Sequence, residues 1–269
     1  MRRFGTTVAC LAIVLAAAHA APGQAKPLKV LVFAGQSNMV GQGSTSGLPE
    51  EMKAPSPSVL VADTGQGKWV PFKPGKRMGP EIVCCRTLAK ALGQPVGFVK
   101  FAVGGTDLGK QWHPDGTGNL YTKLRDRAQA AQALGDVEIV AMLWMQGERD
   151  SRSGPMAEKY ADNLDKLVRR ARADFKSSTM IFVCGRVNPP GGRYPHQDKV
   201  RKAQESISLP RTGWVDCDDL PKHGDNLHYN TAGLIEMGKR FAAKVLHLSK
   251  ADAAKANTQG AARPAKRVP

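Results

Sequence analysis

Beyond its first twenty residues the chain has no apolar run near the roughly eighteen residues that a bilayer-crossing helix needs. No membrane association is therefore expected once a leader is removed. The chain has no internal repeat, which argues against a solenoid or a propeller. Its five cysteines fall into no zinc-binding spacing, and none sits beside a histidine in a motif that would make it a nucleophile. Acid is scarce: 23 Asp and Glu stand against 39 Lys and Arg, a formal charge of +16. Setting aside Arg2, Arg3 and the segment from Lys250 onward leaves 32 basic and 22 acidic residues. Such an excess favours polyanions. There is no dense basic helix and no basic-aromatic stripe, however. A scattered, solvated surface is expected, and no nucleic-acid partner.

What is present begins with a targeting pattern. Arg2-Arg3 form a charged start, Val8 to Ala18 a short apolar stretch, and Ala18-His19-Ala20 a small-x-small cleavage site. Residues 1–20 read as a signal peptide, which makes the mature protein secreted or periplasmic. Cys10 precedes most of the apolar stretch and is badly placed for lipoprotein cleavage. Export would put Cys84, Cys85, Cys184 and Cys217 in an oxidising compartment, where three pairings are open. Adjacent Cys84 and Cys85 would form a strained bond. Cys184 and Cys217 each end a predicted strand and could meet, but no disulfide is expected there.

From residue 27 to residue 249, strand and helix alternate. Strands are expected at 28–34, 96–103, 137–145, 179–184 and 212–215. Each is an apolar run rich in branched residues. Helices are expected at 80–92, 120–134, 155–175, 197–207 and 231–248. Pro80 and Glu81 open the first of these and Gly93 ends it. Two shorter strand-like pieces, 59–61 and 68–72, read as a hairpin around 63–67. Residues 250–269 lack an apolar period and read as a disordered basic tail. The alternation predicts one α/β domain: a roughly five-stranded parallel sheet between two helical layers.

Such a sheet sends every strand's following loop to the same edge, where chemistry collects. Ser37 lies where the first strand ends, in Gly35-Gln36-Ser37-Asn38-Met39. Alone it reads equally well as a turn residue. On the same edge stands Asp225-Asn226-Leu227-His228. A serine hydroxyl needs a base, and the base an orienting carboxylate. Three residues of spacing on a turn let Asp225 reach Nδ1 of His228 and leave Nε2 facing Ser37. Donors for a tetrahedral oxyanion are available at the Ser37 N–H, the Gly104-Gly105 turn and the Gln146 side chain, each at a strand end. His223, His113, His196 and His247 have no comparable acid partner.

Taken together, GQSNM, VGGT, WMQGE and DNLH, spread from Val30 to Phe241, resemble the SGNH-hydrolase superfamily. The likeness is to its sialate O-acetylesterase-like branch, which includes carbohydrate esterase family six. The resemblance implies a flavodoxin-like fold and hydrolysis of acetyl esters on sugars, with no metal and no cofactor. It gives Ser37 the role of nucleophile, His228 of base and Asp225 of orienting acid, with Ser37, Gly104 and Gln146 as oxyanion donors. Glu148 and Asp150 read as supports rather than reacting acids. Trp112, His113, Arg149 and Arg193 are rim residues placed to meet sugar. The partner expected is an acetylated oligo- or polysaccharide. The rivals are a lipase or thioesterase of the same superfamily and a non-catalytic carbohydrate-binding homologue. A lipase would need a large apolar groove, whereas the long loops here are rich in Gly, Pro and polar residues.

Overall fold

The apolar run Leu28–Gly35 forms β1, the strand at the centre of the molecule. Val30, Leu31, Val32, Phe33 and Ala34 are at most 1 % exposed. A parallel strand covered on both faces needs just such an unbroken apolar run. The fold was obtained as a computed structural model that describes residues 26–261. The signal peptide expected at 1–20 lies outside the described residues, as do residues 262–269.

The chain continues through α1 (Ser37–Val40), β2 (Gly43–Ser44) and α2 (Glu50–Lys53), then β3 (Ser56–Asp63), β4 (Lys68–Phe72) and β5 (Arg77–Met78). There follow α3 (Glu81–Leu92), β6 (Val96–Ala102), α4 (Leu120–Gln132), β7 (Val137–Met145), α5 (Gly154–Glu158) and α6 (Tyr160–Asp174). The last elements are β8 (Ile181–Gly185), α7 (Gln197–Glu205), β9 (Thr212–Val215) and α8 (Thr231–Ala261).

The main sheet runs β4-β3-β6-β1-β7-β8-β9. All neighbours pair in parallel except β3 and β4. The expected hairpin therefore widens the sheet to seven strands. Its apolar residues gain cover at the sheet edge, where Phe72 meets Phe98 edge-on at 4.9 Å. Pro71 is tolerated because β4 is the outermost strand and needs no outer donor. Helices α3 and α8 pack together on one face, and α6 packs with α5 and α7 on the other. Tyr121 and Gln132 of α4 bond to Asp174 and Phe175 at the end of α6, which places α4 in that second layer.

Two expectations change. The helix expected over 155–175 is two helices, jointed at Lys159, and the joint turns Tyr160 fully into the core. The tail expected to be disordered from residue 250 continues α8 to Ala261. Ala251, Ala253, Ala254 and Ala256 favour helix on propensity alone, without an apolar face. All four described cysteines are free, buried thiols. Cys184 aims at the Gln204 carbonyl of α7. Cys217 lies beside Gly185 and Phe241, the α8 side of the sheet. Alternate residues of a strand face opposite ways, so the sheet itself separates the two sulfurs.

Candidate active site

The end of β1 is built around a residue that can only be glycine. Gly35 has φ +142°, and a Cβ there would stand 2.1 Å from the Met145 carbonyl oxygen of β7. The chain turns sharply, Gln36 N donates to that same carbonyl at 2.9 Å, and Ser37 opens α1. The Ser37 N–H is in the first turn of a helix and has no intrahelical acceptor.

The last loop delivers the histidine. Asp225 Oδ1 accepts from the backbone N–H of Leu227 at 2.9 Å and of His228 at 3.0 Å, closing a tight turn through Asn226 at φ +53°. The other oxygen, Oδ2, takes the His228 Nδ1 hydrogen at 2.6 Å. His228 Nε2 then lies 2.9 Å from Ser37 Oγ, across 191 residues of sequence. Partial burial pushes the Asp225 carboxyl up. The two backbone bonds and the imidazole outweigh it and hold the carboxyl at about 2. An anion fixed against Nδ1 sets the ring's tautomer and stabilises the imidazolium that forms when Nε2 takes a proton. This is the geometry of an activated serine.

Ser37 and His228 open into a pocket of about 220 Å³ with Gln36, Gly105, Glu148, Arg149, Arg152, Tyr194 and Leu227 on its walls. Gly104 lies beside the serine: a Cβ there would stand 3.7 Å from Ser37 Cβ. Gln146 does not take the place expected of it. It is fully buried, and its side-chain amide donates to the Thr106 carbonyl at 2.9 Å and to Asp150 Oδ2 at 2.6 Å. Both amide hydrogens are used in bracing the Gly104–Leu108 loop, so no donor remains for an oxyanion. Asp150 assists by accepting from the N–H groups of Leu108 and Gly109 at 3.0 Å.

Among the expected rim residues only Arg149 lines the pocket. Trp112 is 0 % exposed. Its indole N–H donates to Thr106 Oγ1 at 2.8 Å and its ring packs edge-on against Trp144 at 5.3 Å. A large apolar residue in a Gly-rich loop is here the loop's anchor. His113 accepts the Asp115 N–H within its own turn. Arg193 is exposed in the loop after β8, and its neighbour Tyr194 takes the pocket wall instead. His223 pairs with the Gln42 carbonyl at 3.1 Å. The sequence reading missed Arg152 and Tyr194, which stack at 4.9 Å on the pocket wall. Both follow strand ends, the one available signal. Among the described residues no cluster of His, Cys, Asp or Glu is arranged to hold a metal ion.

A mostly parallel sheet between helical layers, with serine and histidine at its carboxyl edge, defines an α/β esterase of the SGNH type. A family model for carbohydrate esterase, sialic acid-specific acetylesterase matches residues 27–247, and the chain belongs to that family. It is 29 % identical over 245 residues to a probable carbohydrate esterase of Arabidopsis thaliana, covering 82 % of this chain and 91 % of that one. The X-ray structure of an Arabidopsis protein superposes with TM-score 0.72 at 28 % identity, covering 82 % of this chain and 98 % of the other. NanS gives 0.66 at 18 % identity, with 84 % and 99 % coverage. A carbohydrate acetylesterase from Xanthomonas citri gives 0.62 at 18 %, with 82 % of this chain and 57 % of the other. The last two show likeness of fold. The protein is thus a carbohydrate O-acetylesterase, and its substrate an acetylated carbohydrate.

Proposed function

We propose that the protein is an exported serine esterase that removes O-acetyl groups from an acidic, sialate-type sugar through Ser37, His228 and Asp225. The unbroken chain Ser37 Oγ–His228 Nε2 at 2.9 Å and His228 Nδ1–Asp225 Oδ2 at 2.6 Å carries this reading. Export rests on the leader pattern of residues 1–20.

In the reaction, Ser37 Oγ attacks the acetyl carbonyl carbon as His228 Nε2 takes its proton. The oxyanion is received by the backbone N–H groups of Ser37 and Gly104. Collapse breaks the bond to the sugar oxygen, which takes the proton from His228. Water, deprotonated by His228, then attacks the acetyl-Ser37 ester and releases acetate. Asp225 stays ionised throughout, since its carboxyl titrates at about 2.

Two features narrow the substrate. A pocket of about 220 Å³ is small beside the roughly 300–1,000 Å³ of pockets that enclose drug-sized ligands, which favours acetyl over a long acyl chain. Among the described residues the Arg149 guanidinium has no hydrogen bond or ion pair, and the Arg152 guanidinium donates only to the Tyr194 hydroxyl at 3.3 Å. Two guanidiniums without carboxylate partners favour the sialate type over neutral acetylxylan.

Acetate release from neutral and carboxylated acetyl-sugars tests this. Ser37→Ala is expected to lower kcat/KM about 10⁴-fold or more. Arg149→Ala is expected to raise KM about tenfold on carboxylated sugars only, the loss of one charge-assisted hydrogen bond. An active Ser37→Ala enzyme would end the serine mechanism. Equal effects of Arg149→Ala on both sugar classes would end the acidic-sugar reading.

A further inference from the structure

The residue after the nucleophile has a use that the mechanism leaves unassigned. Asn38 is 1 % exposed, and its carboxamide is directed at the peptide groups on either side of His228. Its Nδ2 donates to the Leu227 carbonyl at 3.3 Å, and its Oδ1 accepts from the Tyr229 N–H at 3.1 Å. A side-chain amide thereby pairs with residues 227 and 229 as a neighbouring peptide would, across about 190 positions of sequence. Among the described residues no other hydrogen bond besides the Ser37–His228 contact itself joins the serine turn, 36–40, to residues 225–229.

An amide can pair this way in one orientation only, and Glu148 supplies the choice. Glu148 is 2 % exposed at the end of the loop after β7, and its Oε1 accepts the second Nδ2 hydrogen of Asn38 at 2.9 Å. A carboxylate cannot donate. Turning the Asn38 amide over would set its oxygen against both the carboxylate and the Leu227 carbonyl, and its NH₂ against the Tyr229 N–H. All three hydrogen-bonding demands fail together. The second Glu148 oxygen, Oε2, is buried and without a partner. Burying it is unfavourable.

We propose that Asn38 is a positioning residue that holds His228 against Ser37, and that Glu148 acts through Asn38 by fixing which way its amide points. The inference rests on the Ser37–His228 reading of the site. Asn38 touches no reacting atom; it sets the distance and direction across which Nε2 takes the serine proton. A displacement of about 1 Å from the productive geometry can slow a reaction about a hundredfold.

The test is a double-mutant cycle on acetate release, with Ser37→Ala as the control for the mechanism itself. Active enzyme is counted in each sample by the burst of an activated acetyl ester, and the melting temperature is measured alongside. Asn38→Ala is expected to lower kcat per active site about 10- to 100-fold while KM changes less than about threefold. Glu148→Ala is expected to lower kcat in the wild-type background and to have little further effect once Asn38 is Ala. Should Asn38→Ala fail to fold, Asn38→Leu carries the same cycle, since it keeps the approximate shape, loses every amide bond and adds no charge beside Glu148. A purely structural role would lower the melting temperature and the active fraction and leave kcat per active site within twofold, which overturns the proposal. Additive losses from Asn38→Ala and Glu148→Ala overturn the part given to Glu148. If Ser37→Ala stays active, the mechanism fails first; if only Ser37→Ala is inactive, the mechanism stands and the positioning role fails.

Discussion

At the scale of single residues, Trp112 separates a binding surface from a buried anchor. Its ring packs against Trp144 of β7 and Phe101 of β6, and its N–H is held by Thr106 in the loop that carries Gly104. Trp112→Ala should therefore destabilise the protein by about 3–5 kcal/mol, the range for deleting a buried large aromatic. Thermal unfolding checks this; a raised KM at unchanged melting temperature would instead make Trp112 a sugar contact. The same residue shows what a sequence discloses. Ser37, Asp225 and His228 were legible because strand-end position and the three-residue Asp–His spacing are local properties. Trp112 and Gln146 were placed on the right loops but given outward roles. Whether a side chain on a rim loop faces out or in is settled by partners such as Tyr160, Thr106 and Asp150, which no short window contains. Asn38 stood inside the quoted motif, yet its partners Glu148, Leu227 and Tyr229 are over a hundred residues away.

At the scale of elements, the junction of β1 with α1 has little tolerance. Gly35 and Gly105 both adopt positive φ, +142° and +70°, but only Gly35 faces backbone at 2.1 Å; around Gly105 nothing lies within 4 Å. Gly35→Ala must displace β7 or unwind the Ser37 turn, and it should abolish activity and cost several kcal/mol, about the upper end for point mutants. Gly105→Ala meets only the left-handed backbone penalty of about 1–2 kcal/mol. Denaturant unfolding of the two variants side by side checks the contrast, and equal losses would show that strain rather than collision governs both. The alternation of strands and helices was legible because apolar runs and helical periods are written locally. Two features were not. The hairpin β3–β4 joins the main sheet through tertiary pairing with β6. The joint at Lys159 follows from burying Tyr160, whose hydroxyl donates to the Gln146 carbonyl at 2.7 Å.

At the scale of the whole molecule, the site's supports act on stability through pH. Asp150 is 0 % exposed, and burial pushes its carboxyl up to about 6. Hydrogen bonds from Gln146, Leu108 and Gly109 draw it down, and the nearby Asp107 charge pushes it further up. An unfolded aspartate titrates near 3.9. The folded state thus holds this proton more tightly than the unfolded chain does. The resulting stability is fully present below about pH 4 and is lost as pH rises through about 6, a loss on the order of 2–3 kcal/mol. Burial raises Glu148 in the same direction. Asp225 and Asp219, both held at about 2, act oppositely and at lower pH: their stability is present above about 3.9 and is lost as pH falls through about 2. Between pH 4 and 6 the Asp150 carboxyl therefore sets the sign of its own contribution to the slope. Asp150→Asn removes the titrating group, while a weakened bond to Gln146 would shift its whole curve without tilting it. Unfolding free energies of wild type and Asp150→Asn, taken at several pH values across that window, should diverge in the variant's favour as pH rises, by about 2–3 kcal/mol. Parallel curves would mean that Asp150 keeps one protonation state throughout and that the brace of the Gly104 loop is indifferent to pH.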